Sequence, residues 1–302
     1  MLIRDVEIFR AVMNAGSASK AAGLLLLTQP AVSQAIRRLE IKAGIALFAR
    51  VRGRLQPTPE SRAFLSEVER CFVGLEALEH RLASLRQFSV DQLSIASYPA
   101  LGLAFLPRIV AEVMRIRPAM HISLQVVSSK DVRDRVLSGQ CEFGLMADEM
   151  STAGIEHSML AEVPGMIAIP PRHALARSKR ITAKQFLAQR VVSLNPEDAS
   201  RKRLMLALGA LGAGFVPAVE TPYGVSLCEM VLQGVGVGLV NPLVALAYVE
   251  RGLVLRPFEL EVPFRALLVL PASRPLSANA REFLSALRKA IAADLSRIKL
   301  LM

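Results

Sequence analysis

Polar side chains that can hydrogen-bond to nucleic acid recur on one face of a predicted helix near the amino terminus. Within GSASKAAGLLLLTQPAVSQAIRRLE (residues 16–40), the outward positions carry Gln29, Ser33, Gln34, Arg37 and Arg38. Amide, hydroxyl and guanidinium groups can bind base edges in a major groove, and they can also bind phosphates. The chemistry open to this face is therefore recognition of duplex DNA.

Three arginines follow in the stretch GIALFARVRGRLQPTPE. A turn at Arg52 and Gly53 between two short segments of high strand propensity predicts a small basic hairpin, or wing. Arg50, Arg52 and Arg54 would then lie beside the groove and, with Thr58, hold the sugar-phosphate backbone. A solvated charged surface would explain the same arginines without any nucleic acid.

Two shorter helices must position the polar face. Apolar residues recur at helical spacing from Val6 to Met13, and Ser17 can cap a second helix by accepting a backbone N–H. Thr28 suits the N-cap of the third helix and Pro30 its first turn. Both residues are also counted among the candidate DNA contacts. The inner face of that helix carries the apolar residues Ala31, Val32, Ala35, Ile36 and Leu39.

Positive charge is denser in the first third of the chain. The 302 residues carry a net charge of +11, and residues 1–90 hold 13 basic residues against 8 acidic ones. Such a balance favours a polyanionic partner. No apolar run approaches the ~20 residues that a membrane span needs, and the charged N-terminus lacks the apolar segment of a signal peptide. We therefore expect a cytoplasmic protein without a membrane partner.

Cysteine, histidine and glycine patterns indicate neither a metal site nor a cofactor. Cys71, Cys141 and Cys228 lie far apart, without the paired spacing of a zinc or redox motif. The four histidines are scattered, and no H-E-x-x-H, G-x-S-x-G or P-loop sequence occurs. GVGVGL (residues 234–239) resembles a dinucleotide loop, but the predicted helix and strand flank it in the reverse order. We expect a protein that is not an enzyme.

A long helix is predicted after the wing, from Pro59 to about Phe88. Its apolar residues recur near a 3–4 spacing at Leu65, Val68, Phe72, Leu75, Leu82 and Leu85. Such a stripe can pair with a second copy of itself. Leu78 lies off the stripe and Glu79 lies on it, so an unbroken two-stranded coil is not favoured. A helix packed on its own domain is the alternative.

Strand-like and helix-like segments alternate through the C-terminal two-thirds. The strand-like segments are LSIAS, HISLQVV, FGLMA, MIAI, VVSL, AVET, VGLVNP and ALLVLP. Helical patterns separate them at Leu101–Ile116, at Asp131–Leu137, from Arg201, across Leu227–Leu232 and from Ala278. This alternation predicts an α/β fold.

Hydroxyl and amide groups cluster where predicted strands end and helices begin. Ligands of α/β domains settle at such corners, because helix N-termini carry exposed N–H groups and partial positive charge. The residues are Ser97, Tyr98, Ser128, Ser129, Ser193, Asn195, Asp198, Arg201, Thr221, Tyr223 and Ser226, with Ser97 the strongest single candidate. Hydroxyls and N–H groups suit a carboxylate, and Asp198 or Glu197 could pair with an ammonium, which favours a small zwitterionic ligand. Ordinary helix capping would explain the same residues.

Residues 3–62 resemble the DNA-binding domain of the LysR-type transcriptional regulators. The resemblance rests on AVMNAGSASKAAGLLLLTQPAVSQAIRRLE, on the G-x-x-LF-x-R pattern from Gly44 to Arg50, and on RGRLQPT. It implies an all-α winged helix-turn-helix domain at residues 1–60, a dimerising linker helix at 61–90 and an effector-binding domain at 91–302.

The effector domain of that family resembles type 2 periplasmic binding proteins, with two lobes joined by two crossover strands. The resemblance places the crossovers near residues 160–166 and 261–268. Lobe one would then comprise residues 92–162 and 268–302, and lobe two residues 163–267.

Within the family, the chain resembles the subgroup of the diaminopimelate decarboxylase activator and the opine-responsive regulators. The likeness lies in RVRGRLQPT, LSIASYPALGLAFLP, CEMVLQGVGVGLVNPLVALAY and GLVLRPFELEVPF. It implies an amino-acid-like effector such as diaminopimelate, lysine, arginine or an opine. It also implies a homodimer or homotetramer on an interrupted palindrome of double-stranded DNA, with RNA polymerase as a partner. The alternative is a small-molecule-binding or enzymatic α/β protein with an incidental basic head.

Overall fold

The computed structural model describes residues 3–51, 54–69, 71–72, 92–150, 152, 154–272 and 275–302. For residues 50, 51 and 54 it describes the backbone alone. The chain divides into two units, residues 1–79 and residues 80–302.

Three helices form the core of the first unit: α1 (Ile3–Ala15), α2 (Ala18–Leu24) and α3 (Gln29–Ala43). Ser17 caps α2 by accepting the backbone N–H of Lys20, and Thr28 caps α3 by accepting that of Ala31. Gly44 ends α3 in the left-handed conformation, with φ at 69°. The side chains that pack together are Phe9, Val12, Ala21, Val32, Ala35, Ile36 and Leu39. The predicted caps are confirmed. Four of the five residues predicted for the inner stripe are buried, and the fifth, Ala31, is half-buried.

A two-stranded antiparallel hairpin follows α3, as the sequence predicts. Its strands are β1 (Phe48–Val51) and β2 (Arg54–Pro57), and Val51 stands opposite Arg54. The predicted turn at Arg52 and Gly53 lies outside the described residues.

Helix α4 (residues 59–69) packs against α1, and residues 71–72 are helical as well. Arg10 of α1 donates two hydrogen bonds to the Glu69 carboxylate, at 3.0 and 2.8 Å. The same guanidinium lies 4.7 Å from the centre of the Phe72 ring, so charge and ring contacts hold α4 in place. The remainder of the predicted linker helix lies outside the described residues, including Leu75, Leu78, Glu79, Leu82 and Leu85.

One mixed sheet organises the first lobe of the second unit. Its strands are β3 (Gln92–Ser97), β4 (His121–Val126), β5 (Phe143–Ala147), β6 (Glu156–Pro164) and β12 (Pro263–Leu270). They lie in the order β4-β3-β5-β12-β6, with β3 parallel to β4 and β5, and β12 antiparallel to β5 and β6. The helices of this lobe are α5 (Pro99–Gly102), α6 (Phe105–Ile116), α7 (Ser129–Leu137) and α12 (Ala278–Leu300).

The prediction of one continuous helix at Leu101–Ile116 is wrong, because the chain forms two separate helices there, α5 and α6. Pro107 lies in the first turn of α6. A proline ring clashes with the carbonyl four residues earlier, here that of Leu103, and proline has no N–H to bond it. The helix therefore cannot run unbroken through Leu103.

Two small sheets organise the second lobe. The first is antiparallel, in the order β10-β7-β11, and consists of β7 (Met166–Ile169), β10 (Gly238–Val240) and β11 (Val254–Pro257). The second is a parallel pair, β8 (Val192–Leu194) and β9 (Val219–Thr221). The helices are α8 (Ala183–Leu187), α9 (Ala199–Gly209), α10 (Gly224–Leu232) and α11 (Pro242–Val249), and Ala174–Arg177 form a 3-10 turn.

The chain crosses between the lobes twice. It leaves the first sheet at the end of β6 and returns to it at the start of β12. Because β6 and β12 pair along their length, from Pro164 opposite Pro263 to Glu156 opposite Leu270, the two crossings lie side by side.

Two of the three glycines of GVGVGL, Gly236 and Gly238, serve close packing of the backbone. A Cβ on Gly236 would lie 2.2 Å from the carbonyl oxygen of Arg190, and one on Gly238 would lie 2.6 Å from that of Val192. Only glycine lets this segment approach β8 so closely. The sequence is therefore a packing motif at the edge of β8.

Replacing Gly236 with Ala should destabilise the chain by about 2 kcal/mol or more, because the added methyl group meets a backbone atom that cannot rotate away. Urea denaturation followed by circular dichroism measures the effect.

The matched control is Gly209→Ala in the last turn of α9, where an added Cβ has no atom within 4 Å. That variant should be neutral or more stable by up to about 1 kcal/mol. Equal midpoints for the two variants would contradict the packing role of Gly236.

Candidate nucleic-acid interface and ligand cleft

One side of α3 faces away from the core of the first unit. Its exposed residues are Gln29, Pro30, Ser33, Gln34, Arg37 and Arg38, whereas Val32, Ala35, Ile36 and Leu39 are buried on the other side. Gln29 Nε2 donates to Ser33 Oγ at 2.9 Å, which links two polar groups at the start of the helix. No described residue of the first unit covers the predicted polar face, so an outside partner can reach it.

Arg38 differs from its neighbours because it is tied to the core. Its Nη2 donates to Oδ1 of Asp5 on α1 at 2.6 Å. The Asp5 side chain is 6% exposed and that of Arg38 is 49% exposed. A carboxylate so deeply buried needs a partner, so one nitrogen of Arg38 is committed to joining α3 to α1.

Thr58 is also committed inside the unit. Its hydroxyl lies 3.0 and 3.1 Å from the carbonyl oxygens of Ala46 and Leu47, and it accepts the backbone N–H of Ser61. Thr58 therefore caps α4 and joins it to the segment before β1. Its predicted contact with phosphate would have to compete with these bonds.

Glu40 is a positioning residue that the sequence pattern did not reveal. Its Oε1 accepts the backbone N–H groups of Leu47 at 2.8 Å and of Phe48 at 3.0 Å. The end of α3 thereby fixes where the wing begins. Of the predicted wing arginines, Arg52 lies outside the described residues, and only the backbone of Arg50 and Arg54 is described.

A cleft of about 730 Å³ opens between the two lobes of the second unit. From the first lobe, the loops after β3, β4 and β5 supply Tyr98, Ser128 and Asp148. From the second lobe, Asn195 and Tyr223 line it. A volume of this size suits a small molecule.

Six of the eleven predicted effector-binding residues line this cleft: Tyr98, Ser128, Ser129, Asn195, Asp198 and Tyr223. Five do not: Ser97, Ser193, Arg201, Thr221 and Ser226. The structure thus brings the four predicted corners together. The corner of Ser128 and Ser129 lines the cleft with both residues, whereas each of the other three has at least one predicted residue away from the cleft surface.

Ser97 and Ser193 turn away from the cleft for the same reason. Each is buried, and each hydroxyl donates to the carbonyl of the next residue at 3.0 Å. Arg201 is 7% exposed; its guanidinium lies 4.1 Å from the centre of the Phe215 ring and 3.9 Å from Glu220. Burial lowers the pKa of Arg201, and Glu220 opposes that shift.

Several lining residues cap helices, which is the alternative role that their types suggest. Ser128 accepts the backbone N–H of Asp131 at the start of α7. Asp198 accepts the backbone N–H groups of Ser200 and Arg201 at the start of α9. Ser129 is buried and accepts the N–H of Ala147 at 3.3 Å. These bonds already occupy an acceptor position on each of the three side chains.

The sequence pattern did not reveal five charged residues that line the cleft: Asp148, Glu149, Lys202, Arg203 and Arg265. Asp148 and Glu149 directly follow β5, so the rule applied to other strand ends would have found them. Arg203 lies inside α9 and Arg265 inside β12, positions that carry no local signal.

The carboxylates of the cleft act on Tyr98. Burial raises the pKa of this phenol above its ordinary value, and the charges of Asp198, Glu149 and Asp148 raise it further. A phenol is already protonated at neutral pH, and this shift moves Tyr98 further from ionisation, so its hydroxyl can donate a hydrogen bond.

Within the described part of the chain, no group of three or more His, Cys, Asp or Glu residues could hold a metal ion. Across the same residues, none of the helices has the length and apolar character that crossing a membrane requires.

Two family models match the chain. Residues 3–62 match the bacterial regulatory helix-turn-helix protein, lysR family, and residues 86–292 match the LysR substrate binding domain.

Relatives and solved structures give the same result. The transcriptional activator protein LysR of Escherichia coli K12 is 36% identical over 281 residues, which cover 93% of this chain and 90% of that protein. The octopine catabolism/uptake operon regulatory protein OccR of Rhizobium meliloti is 32% identical over 262 residues, 86% of each chain. The crystal structure of full-length CbnR with its target DNA has a TM-score of 0.61 at 19% identity, covering 96% and 100% of the two chains. The predicted fold class, a helix-turn-helix followed by a two-lobed α/β domain, is confirmed.

Replacing Arg38 with Ala should loosen the first unit, because the buried Asp5 carboxylate loses its charged donor. We expect amide hydrogen exchange in α1 and α3 of the full chain to accelerate about tenfold, corresponding to roughly 1.4 kcal/mol.

Arg37→Ala, a change at the adjacent exposed arginine, is the matched control. It should leave exchange in α1 and α3 unchanged. If both variants exchange at the wild-type rate, Arg38 does not hold α3 against α1.

Proposed function

The chain belongs to the LysR family and is a DNA-binding transcriptional regulator with a substrate-binding domain, and we propose that a small amino-acid-like effector bound in the interlobe cleft switches its activity. The observation that carries the proposal is that a single chain combines the exposed polar face of α3 with a charged cleft. Family membership makes the chain a regulator and not an enzyme, which removes the enzymatic alternative.

For DNA recognition, α3 enters the major groove of the operator. Its residues Gln29, Ser33, Gln34 and Arg37 read bases or position the helix, since their side chains are exposed. Arg50, Arg52 and Arg54 hold backbone phosphates from the wing. Arg38 and Thr58 act chiefly by supporting α3 and α4, given their contacts inside the unit.

The proposed assembly is a homodimer or homotetramer on an interrupted palindrome, with one α3 helix in each half-site. The linker helix at residues 61–90 would join the copies, between a DNA-binding domain at 1–60 and an effector domain at 91–302. The protein would act in the cytoplasm and contact RNA polymerase. CbnR, which shares this fold, forms a crystalline complex with its target DNA, and that complex supports duplex DNA as the partner.

The proposed effector belongs to the class of diaminopimelate, lysine, arginine or an opine. The cleft supports it because carboxylates at Asp148, Glu149 and Glu197 stand among cations at Lys202 and Arg203. Both charges of a zwitterion then find partners. The similarity to OccR, a regulatory protein of octopine catabolism and uptake, agrees with such a compound.

Salt-dependent binding to the DNA upstream of its own gene tests the DNA-binding assignment. Removing one wing charge with Arg54→Gln should weaken binding to all sequences alike and lower the slope of log K against log salt by roughly one unit. Fluorescence anisotropy between low and high salt measures that slope.

Lys184→Gln, a change at an exposed residue of α8, removes one positive charge in the other unit and is the control. Its slope should equal that of the wild type. If Arg54→Gln alters sequence preference without changing the slope, the phosphate assignment is wrong.

A thermal-shift screen tests the effector class. At a concentration 100 times its Kd, a ligand stabilises the native state by about 2.7 kcal/mol, which raises Tm by roughly 5–10 °C. We expect such a shift with at least one of lysine, arginine, diaminopimelate and octopine, against sodium chloride of equal ionic strength. No shift with any of the four would contradict the proposed class.

A further inference from the structure

An ion pair spans the cleft and joins the two lobes. Asp148 follows β5 in the first lobe, and Arg203 lies on α9 in the second. Nη2 of Arg203 contacts Oδ2 of Asp148. Both residues line the cleft, and their side chains are largely covered, at 25% exposure for Arg203 and 15% for Asp148.

The crossover strands hold the same pair. Nη1 of Arg203 donates to the carbonyl oxygen of Pro263 at 3.0 Å, at the start of β12. Arg265 of β12 reaches Oδ2 of Asp148 at 3.4 Å and donates Nε–H to Glu162 of β6 at 2.9 Å. Oδ2 of Asp148 therefore has two arginine partners, one from the second lobe and one from a crossover.

The second oxygen of Asp148 has no hydrogen-bond partner among the described residues. Oδ1 is buried and accepts no hydrogen bond from any described residue. Buried carboxylate oxygens are costly to leave unbonded, and native structures rarely do so without a functional reason. A donor from a ligand can therefore reach this oxygen only when the contacts that now cover it part.

We propose that the head group of the effector inserts into this ion pair, with its α-ammonium on Asp148 and its α-carboxylate on Arg203. This inference rests on the proposed function, since it assumes an amino-acid-like effector in the cleft. It adds the two residues that select the effector and the contact that the effector breaks.

An exchange of ion-pair partners favours a ligand whose ammonium and carboxylate groups are attached to the same carbon. Removing one partner from a largely buried ion pair leaves the other charge uncompensated. An anion alone would draw Arg203 away from Asp148 and leave that carboxylate with one arginine fewer. A cation alone would bring a third positive charge next to Arg203 and Arg265, which it would repel. An ammonium next to a carboxylate replaces both partners at once, because Asp148 and Arg203 are themselves in contact.

The exchange also couples binding to the arrangement of the lobes. A ligand shifts a conformational equilibrium only through different affinities for the two states. In the free protein Arg203 and Asp148 hold the lobes together directly, whereas in the complex the effector lies between them. The spacing of the lobes then depends on whether the cleft is filled.

The first arm of the test needs no ligand. In a double-mutant cycle of Asp148→Asn and Arg203→Gln in the full chain, each single change should accelerate amide exchange in α9 about tenfold. The double variant should exchange more slowly than the product of the two single effects, because one interaction cannot be lost twice.

The exposed pair Glu229 and Arg251, within lobe two, supplies the control for this arm. Glu229→Gln should leave exchange in α9 unchanged. Strictly multiplicative effects of the Asp148 and Arg203 changes would overturn the interlobe ion pair.

The second arm uses the amino acid that gives the largest thermal shift, together with its Nα-acetyl derivative and its α-decarboxylated amine. The wild type should bind both derivatives at least tenfold more weakly than the parent, by equilibrium dialysis. Asp148→Asn should bind the parent at least tenfold more weakly than the wild type does. If that variant does not fold, Arg203→Gln applies the same test to the carboxylate.

The outcomes separate the two proposals. A wild type that binds none of the four candidate amino acids overturns the proposed effector class, and the head-group assignment with it. A wild type that binds one of them while Asp148→Asn binds it equally well overturns the exchange of partners alone. Full binding of the Nα-acetyl derivative would do the same, because that compound lacks the α-ammonium.

Discussion

Burial of the apolar stripe of α3 is the constraint on which the DNA-binding unit depends. Val32 and Ala35 are completely buried against Phe9 and the helices α1 and α2. A helix with one side buried must present its other side outward, because side chains three and four apart share a face. The hydrogen-bonding groups from Gln29 to Arg37 are thus exposed by packing, and the cap of Thr28 sets where that face begins.

The second unit obeys a comparable constraint at its sheets. The parallel strands β3, β4 and β5 end on the same edge, so the loops that follow them meet there. The crossovers β6 and β12 hold that edge opposite the second lobe. Neighbouring strand ends therefore supply Tyr98, Ser128 and Asp148 to one cleft, although these residues lie up to 50 positions apart in sequence.

Local signals predicted much of this architecture, and contacts between distant residues account for the rest. Ser17, Thr28 and the stripe of α3 act within one helix turn, so their roles could be read directly from the sequence. The interior of α11 is buried on every side at Leu243, Val244 and Ala245, so no period of 3.6 marks it as a helix. At the candidate site, hydroxyls indicated the corners correctly, but Ser97 and Ser193 each donate to the backbone carbonyl of the next residue. Arg203 and Arg265 depend on a carboxylate more than 50 residues away, which local patterns cannot predict.

Two ion pairs of the same residue types, each between residues distant in sequence, differ in their surroundings. Asp5 and Arg38 join α1 to α3 inside one packed unit, and the carboxylate is covered by the core. Asp148 and Arg203 join two lobes across an open cleft, and the carboxylate keeps one oxygen unbonded among the described residues. A pair enclosed by packing can be broken only by loosening the core, so it fixes a geometry. A pair beside a cleft can exchange its partners with a solute of matching charge, because the new contacts compensate both charges as the old ones part. Both pairs consist of an arginine and an aspartate, so the surroundings of a pair, and not its residue types, decide whether it is closed to a solute or open to exchange with one.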